Sequence, residues 1–374
     1  MKDVYINGLG AFLPGPPVSS AEMEEYIGRV NGHPSPSRAF VLRQNKIKTR
    51  HYAFGRERGK PYSVSEMAAL AVKHAADASE ITLQDITFLA TSTTVGDLIL
   101  PGTASHTHAA LGIPPIEIAS FQSVCASSLM AIKSGYLQVK AGEHACVAAC
   151  GSDFPSRYFT PGFYEGTAVI KEDGTLPMEI DFLRFTLSDG AGAFIIENKP
   201  NTRVPSFKIH WIDLRSYADR FETCMMAGGV RHGDETAFWG DFESPAAAAQ
   251  AGALMLTQDF ALLKRMIPVW VSHYLSLIDQ GKIKIDAINH LCSHYSSHSL
   301  RVETIKLLKK AGAMIDEDKW FSNLYSKGNT GTASIFIMLE ELGRSRALKS
   351  GEFILCHVPE SGRCLNGFML LEVV

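Results

Sequence analysis

No stretch of this sequence approaches the roughly 18 consecutive apolar residues that a membrane-crossing helix needs. The opening residues, MKDVYINGLGAFLPG, lack the charged start, apolar middle and small-residue cleavage site of a secretory signal. No CxxC pair occurs among the seven cysteines, so no zinc site is expected. Most of these cysteines sit in apolar, strand-like runs, where a free thiol packs as a small hydrophobe, and the expected compartment is the reducing cytoplasm. A charge excess is missing as well: 36 Lys and Arg against 39 Asp and Glu leave a net charge of −3. Without a global basic field, neither nucleic acid binding nor membrane insertion is expected. Low-complexity linkers and short tandem repeats are lacking too. Finally, Gly8-x-Gly10 has neither the third glycine nor the following helix of a dinucleotide fingerprint.

What is present is ordinary globular composition, 46% apolar and 20% charged over 374 residues, enough to bury a large core. A two-fold echo runs at the scale of half the chain. DITFLATST leads to the small-residue helix pattern CASSLMAIKSGYLQVKAGE, then to the strands HACVAAC and GAGAFIIEN. Later, AINHLCSH leads to NTGTASIFIMLEELGRS, then to EFILCHV and NGFMLLEVV. The strands are apolar on both faces, as sheets covered by helices on each side require. The expectation is a duplicated α/β fold, residues 1–200 forming one half and 201–374 the other, packed through their small-residue helices. Two regions break the echo, an aromatic and glycine-rich insertion at about 153–189 and an irregular stretch from about Trp211 to Ser244. Such insertions often wall a pocket.

Three residues carry the chemistry in this reading. Cys125 lies in FQSVCASSL, where a strand gives way to a helix. The positive end of a helix dipole lowers a thiol pKa, whereas burial raises it, and both act at such a position. His294 ends the strand INHLCSH, and Asn329 enters a helix from the glycine-flanked turn SKGNTGTASI. Taken singly, each is ordinary: a packed cysteine, a strand-end histidine, an N-cap asparagine.

Five motifs in order change that balance: KIKTRHYA at 46–53, SVCASSL around Cys125, DGAGA from Asp189, AINHLCSH ending at His294, and Gly328-Asn329-Thr330. In these the chain resembles the ketoacyl-acyl carrier protein synthase III family of the thiolase superfamily. The resemblance implies a five-layer αβαβα fold, a homodimer, and a Cys125–His294–Asn329 triad. It also implies an acyl group held on Cys125 and condensed with a second thioester, with no cofactor beyond substrates carried on the phosphopantetheine of acyl carrier protein or on coenzyme A. The oxyanion would be held by the backbone N–H groups of Cys125 and Gly362. Leu100, beside Pro101, takes the family's dimer-crossing position, where its side chain would close the partner's acyl pocket.

Departures from the family pattern narrow the expectation. Phe40 and Gln44 stand where the family has the Trp and Arg that stack on adenine, which favours a carrier protein for both substrates. The catalytic histidine is followed by Tyr295-Ser296-Ser297-His298 rather than the family's Gln-Ala-Asn, and PESGRCLNG (359–367) replaces a glycine-rich loop. The opening resembles ketosynthases of dialkylresorcinol and aryl-polyene-type pathways, which implies a β-ketoacyl partner substrate and a product able to cyclise. Arg301, Lys306, Lys309 and Lys310 form a candidate docking face for an acidic carrier protein. Two other readings stand beside this one: transfer of the acyl group from Cys125 to an oxygen or nitrogen acceptor, and a non-catalytic subunit of a synthase complex.

Overall fold

The computed structural model describes residues 2–55, 61–233 and 235–374. Ten strands dominate it: β1 (Tyr5–Phe12), β2 (Phe88–Thr93), β3 (Glu117–Gln122), β4 (Cys146–Asp153), β5 (Gly190–Glu197), β6 (Phe207–Ser216), β7 (Ile288–Ser293), β8 (Trp320–Phe321), β9 (Phe353–Pro359) and β10 (Leu365–Val373). Their order across the sheet is β8-β7-β9-β10-β6-β1-β5-β4-β2-β3. Read outward from the centre, β1-β5-β4-β2-β3 matches β6-β10-β9-β7-β8 strand for strand. Each run has the same sense, with β2 parallel to β3 and β4, and β7 parallel to β8 and β9. The two runs meet where Tyr5 and Ile6 pair antiparallel with Lys208 and Phe207. Strands β2 and β4, covered by helices on both sides, are buried along their entire length.

Helices α1 (Val64–Ser79), α2 (Ser127–Ala141), α3 (Phe260–Asp279), α4 (His298–Lys310) and α5 (Ser334–Ser345) complete the layers. A capping box between Ser63 and Glu66 starts α1, and its apolar stripe of Val64, Met67, Ala71, Val72 and Ala75 lies on β1 and β5. Gly8 and Gly10 belong to that contact: a Cβ on either would come within 2.1 Å of an α1 carbonyl oxygen. The glycine pair is a packing device. Helix α2 touches β2 and β4 on one side and β6 and β10 on the other, and α5 touches β1, β5 and β7, so these two form the middle layer. Helices α3 and α4 pack together outside the second run. The arrangement is the five-layer αβαβα fold.

Close approach in the middle layer depends on small residues. Phe336 of α5 meets Phe194 of β5 at a ring-centroid distance of 4.6 Å, and a Cβ at Gly192 would stand 2.3 Å from the Phe336 Cβ. Residues Trp211–Ser216, expected to be irregular, instead complete β6, because their partners on β10 continue the ladder to Leu365. The insertion after β4 folds into two short 3₁₀ turns, Pro155–Tyr158 and Pro161–Phe163, and a helix, Met178–Arg184. No helix among the described residues is long and apolar enough to cross a membrane.

Replacing Gly192 with Ala should destabilise the protein by about 1–3 kcal/mol, since the added methyl overpacks the α5 contact. Phe336→Ala should cost about 3–5 kcal/mol through the opposite fault, a cavity. Urea unfolding midpoints measure both; a Gly192→Ala protein as stable as wild type contradicts the packing account.

Candidate active site

Cys125, His294 and Asn329, far apart in sequence, line one cavity. Each comes from the end of a different element. Cys125 stands directly before Ala126, the residue that caps α2. His294 follows β7, its backbone N–H donating to the His357 carbonyl at 2.8 Å. Asn329 precedes the turn into α5, where its side-chain Oδ1 accepts from the Gly331 N–H at 3.0 Å. With that oxygen committed, the amide's donor nitrogen is what remains for a ligand. All three side chains are buried against the protein.

Apolar side chains make most of the wall. Phe154, Pro155, Tyr158, Phe182, Leu183 and Leu187 come from the 153–189 insertion, and Met225, Leu256 and Leu263 face them. The expectation that this insertion walls a pocket is met. Of the described residues in the second irregular region, only Met225 reaches the cavity.

The electrostatics differ from what a helix start alone provides. Burial pushes the Cys125 thiol well above its ordinary range, and the nearby carboxyl groups of Glu360 and Asp153 add to the rise. The dipole of α2 is outweighed. Burial likewise lowers His294 to about 4, so its imidazole is neutral at pH 7. Asp153, also on the cavity wall, accepts from the Thr94 N–H (2.7 Å), the Thr93 and Thr94 hydroxyls and the Thr332 N–H (2.8 Å). These donors hold an anion in place, yet burial still raises the carboxyl group to about 6. A Cβ at Gly331 would fall 2.1 Å from the Asp153 Oδ2, so no other residue fits there.

Sequence reasoning missed a buried polar chain behind His294. Ser293 and His357 both line the cavity. The Ser293 hydroxyl lies 3.0 Å from His357 Nδ1, and His357 Nε2 lies 2.9 Å from the Asn366 Oδ1. The Asn366 Nδ2 is 3.1 Å from His273 Nδ1, and His273 Nε2 is 3.0 Å from the Asp213 carboxylate. Asp213 in turn takes Lys282 at 2.8 Å. The acceptor-only carboxylate fixes every link. His273 must donate through Nε2, Asn366 must donate to His273, and His357 must donate to Asn366. The Ser293 proton therefore points to His357. Burial keeps both rings neutral, pushing His357 to about 3 and lowering His273 as well. The signal available in sequence was the alternation of polar residues in otherwise apolar strands, which by itself carries little.

The other expected site residues lie outside this cavity. Gly362 is not among the residues that line the cavity, where Pro359 and Ser361 stand; its carbonyl accepts from the Cys224 N–H at 2.7 Å. Leu100 is 77% exposed and Ile99 is 83% exposed, on a loop away from this chain's own cavity. The docking face is smaller than its sequence suggested, because Glu317 folds back onto Arg301 (3.2 Å) and Lys309 (3.0 Å). Lys306 lies 3.8 Å from Glu303, and Arg301 stacks over Trp320. Phe40 is a half-exposed surface residue of the helix Arg38–Asn45. All seven cysteines are free and buried. Among the described residues, no group of three or more His, Cys, Asp or Glu is arranged to hold a metal ion.

The chain aligns at 22% identity over 356 residues with a β-ketoacyl-[acyl-carrier-protein] synthase III of Anaplasma marginale, covering 95% of each protein. Identity is also 22% to the β-ketoacyl-[acyl-carrier-protein] synthase III of Clostridium acetobutylicum, across all of this chain and 99% of the other. Both of these ketoacyl synthase III proteins are similar to this chain along nearly their whole length. Among solved structures of that fold, AbyA1, described as a tetronic acid condensing enzyme, superposes with a TM-score of 0.78 at 19% identity, covering 99% of both chains. Xanthomonas campestris OleA superposes with a TM-score of 0.74 at 16% identity, again covering 99% of both. No family profile matches the chain.

Linkage predicts how this ketoacyl synthase III relative responds to acid. Folded His294 and His357 titrate at about 4 and about 3, well below the ordinary 6.5 of an unfolded histidine. The stability they confer is complete above pH 6.5 and is lost as pH falls toward the folded values, because only the unfolded chain takes the protons. In His357→Gln the slope of unfolding free energy against pH between about 4.5 and 5.5 should shrink by about 1.4 kcal/mol per pH unit. An unchanged slope would show that His357 is charged in the folded protein. Asn366→Leu, which strands two ring nitrogens, should destabilise by about 2–4 kcal/mol.

Proposed function

We propose that this chain is a ketosynthase III-like condensing enzyme that forms a carbon–carbon bond between an acyl group on Cys125 and a second thioester. The observation that supports it best is the meeting of Cys125, His294 and Asn329 on one cavity whose wall is mostly apolar. Sulfur attacks the acyl thioester and expels the carrier thiol, splitting one hard step into two. The Cys125 N–H is the donor available to the developing oxyanion. A second thioester then enters and becomes an enolate, by loss of carbon dioxide or of a proton. The neutral imidazole of His294 and the free amide nitrogen of Asn329 stabilise its oxygen as fixed donors, and the enolate carbon attacks the acyl carbonyl. The released thiol of Cys125 starts the next cycle.

We assign both substrates to acyl carrier protein rather than coenzyme A, because Phe40 and Gln44 stand in place of the family's adenine-stacking Trp and Arg pair. The second substrate in this reading is a β-ketoacyl thioester, whose product can close to a cyclohexanedione or dialkylresorcinol. Docking would use the exposed lysines of α4, Lys306 and Lys310, beyond the pairs that Glu317 makes. The chain divides near residue 200, between β5 and β6, into two halves, and the working unit is a homodimer in the cytoplasm. What supports the dimer is β3, an edge strand whose neighbouring loop exposes Leu98, Ile99 and Leu100 to solvent.

Intact-protein mass spectrometry after incubation with acyl-carrier thioesters should show a single acyl adduct that is absent in Cys125→Ala. Asn329→Ala should still take up the acyl group but form the condensed product about 10²–10³-fold more slowly. A product with no new carbon–carbon bond would support the oxygen or nitrogen acyltransferase, and condensation of only acetyl and malonyl units would remove the β-ketoacyl assignment. Ile99→Asp should sediment as a monomer; a dimer that survives it places the interface elsewhere.

A further inference from the structure

The condensation chemistry makes no use of Glu360. This residue sits at the end of β9, in the turn where the family has glycines, and is only 2% exposed. Its Oε1 accepts from the Ser123 hydroxyl at 2.7 Å and its Oε2 from the Ala126 N–H at 3.2 Å. The Val124 N–H donates to it as well. The carboxylate is therefore held by the residues on both sides of Cys125, at the N-terminus of α2. Among the described residues its donors are Ser123, Val124 and Ala126, and no cation shifts its titration.

The N–H groups that open a helix are the natural seat of an anion, and here a carboxylate already occupies them. A thiolate at Cys125 would form beside that charge, inside the protein, where Coulomb repulsion is weakly screened. The other ionisable groups facing the sulfur do not offset this. Asp153 at the end of β4 is a second carboxyl group tied down by four donors, and His294 and His357 on the opposite wall are neutral. Cys364, on the same turn as Glu360, stays a thiol, its titration pushed up to about 12.

We propose that Glu360 is a positioning residue that restrains the nucleophile: Cys125 and Glu360 share a single negative charge, and sulfur carries it only while the carboxyl group holds a proton. In that exchange the S–H bond of Cys125 breaks and an O–H bond forms on Glu360, and the net charge of the pair does not change. Unloaded enzyme thus keeps its cysteine as a thiol, protected from stray electrophiles and oxidants. The direction of both titrations agrees, with Glu360 raised to about 7 by burial and Cys125 raised by burial and then by Glu360. The coupling makes a two-step prediction. Thiolate should appear as the pair loses its first proton near neutrality, level off while one charge is shared, and rise again only when the second proton leaves.

The proposal rests on Cys125 being the nucleophile, yet its test needs no acyl substrate. The rate of Cys125 alkylation by iodoacetamide is followed on the full-length protein from neutral to alkaline pH, read on the peptide that contains residue 125. Wild type should give the two-step profile. Glu360→Gln should give one rise at lower pH and react roughly tenfold faster near pH 8, the equivalent of one pKa unit. Glu360→Asp, which keeps the charge, should stay slow. Equal rates and profiles for wild type and Glu360→Gln, or a slower Glu360→Gln, overturn the proposal and leave Glu360 a structural tie. Should Glu360→Gln fail to fold, Ser123→Ala serves: losing one donor lets the carboxyl group keep its proton to higher pH, and alkylation near neutrality should speed up. No acceleration there overturns the proposal equally. Failure of every thioester to acylate Cys125 would sink the condensing-enzyme reading while leaving the alkylation comparison intact.

Discussion

The site depends on one buried carboxylate, that of Asp153. Its oxygens accept from Thr93, the last residue of β2, from Thr94 just past it, and from the Thr332 N–H at the entrance to α5. Those donors belong to the two separate strand runs, so one anion ties the region of the cysteine to the region of the asparagine. Four hydrogen bonds offset much of the cost of burying a charge, but not all of it, and the carboxyl group accordingly titrates near 6. Beside it the Thr332 hydroxyl bonds to Ser127 (2.9 Å) and Ser92 (3.1 Å), while the rest of the seam is lined by Phe194, Phe336 and their apolar neighbours, and apolar contacts alone do not fix a register to fractions of an ångström. Polar bonds at the cavity floor supply that precision.

Much of the fold was legible because it rests on short-range patterns. Strands apolar on both faces, helices that begin with small residues, and the repeat of one order of elements all leave a mark in the sequence. The three residues that meet on the cavity were legible for a related reason: each stands near the end of a strand or the start of a helix, close to Gly, Ala, Ser or Thr that permit close packing. The placing of Gly362 was not readable, because the 361–362 turn pairs with Cys224 and Met225, more than 130 residues earlier. The pairing of the cationic face was not readable either, because Glu317 returns to Arg301 and Lys309 across a helix end. Nor was the acidity of Cys125 readable, since helix dipole, burial and two carboxyl groups act on it together and only coordinates supply their relative weights.

The back of the cavity is polar in an ordered way. From Asp213 inward, each acceptor dictates the next donor, and the series ends with the Ser293 hydroxyl turned toward His357. This series joins β7, β9, β10 and α3 through side chains, in addition to the ladder that joins the three strands through their backbones. Because Ser293 immediately precedes His294, the series also sets where the His294 imidazole begins. A charged His273 would set its Nδ1–H against the Asn366 Nδ2 donor, whereas a charged His357 would only turn the Ser293 hydroxyl into an acceptor.

Gly331 and its carboxylate neighbour also bear on how this cavity can diversify. With the Asp153 oxygen occupying the place of a side chain, that end of the chamber has no room to be remodelled by point substitution. Phe182, Leu183, Leu256 and Leu263 form the opposite wall on elements that carry no reacting group. Descendants of this sequence that handle longer, shorter or branched acyl chains should therefore have drifted on that wall, with the polar floor inherited unaltered.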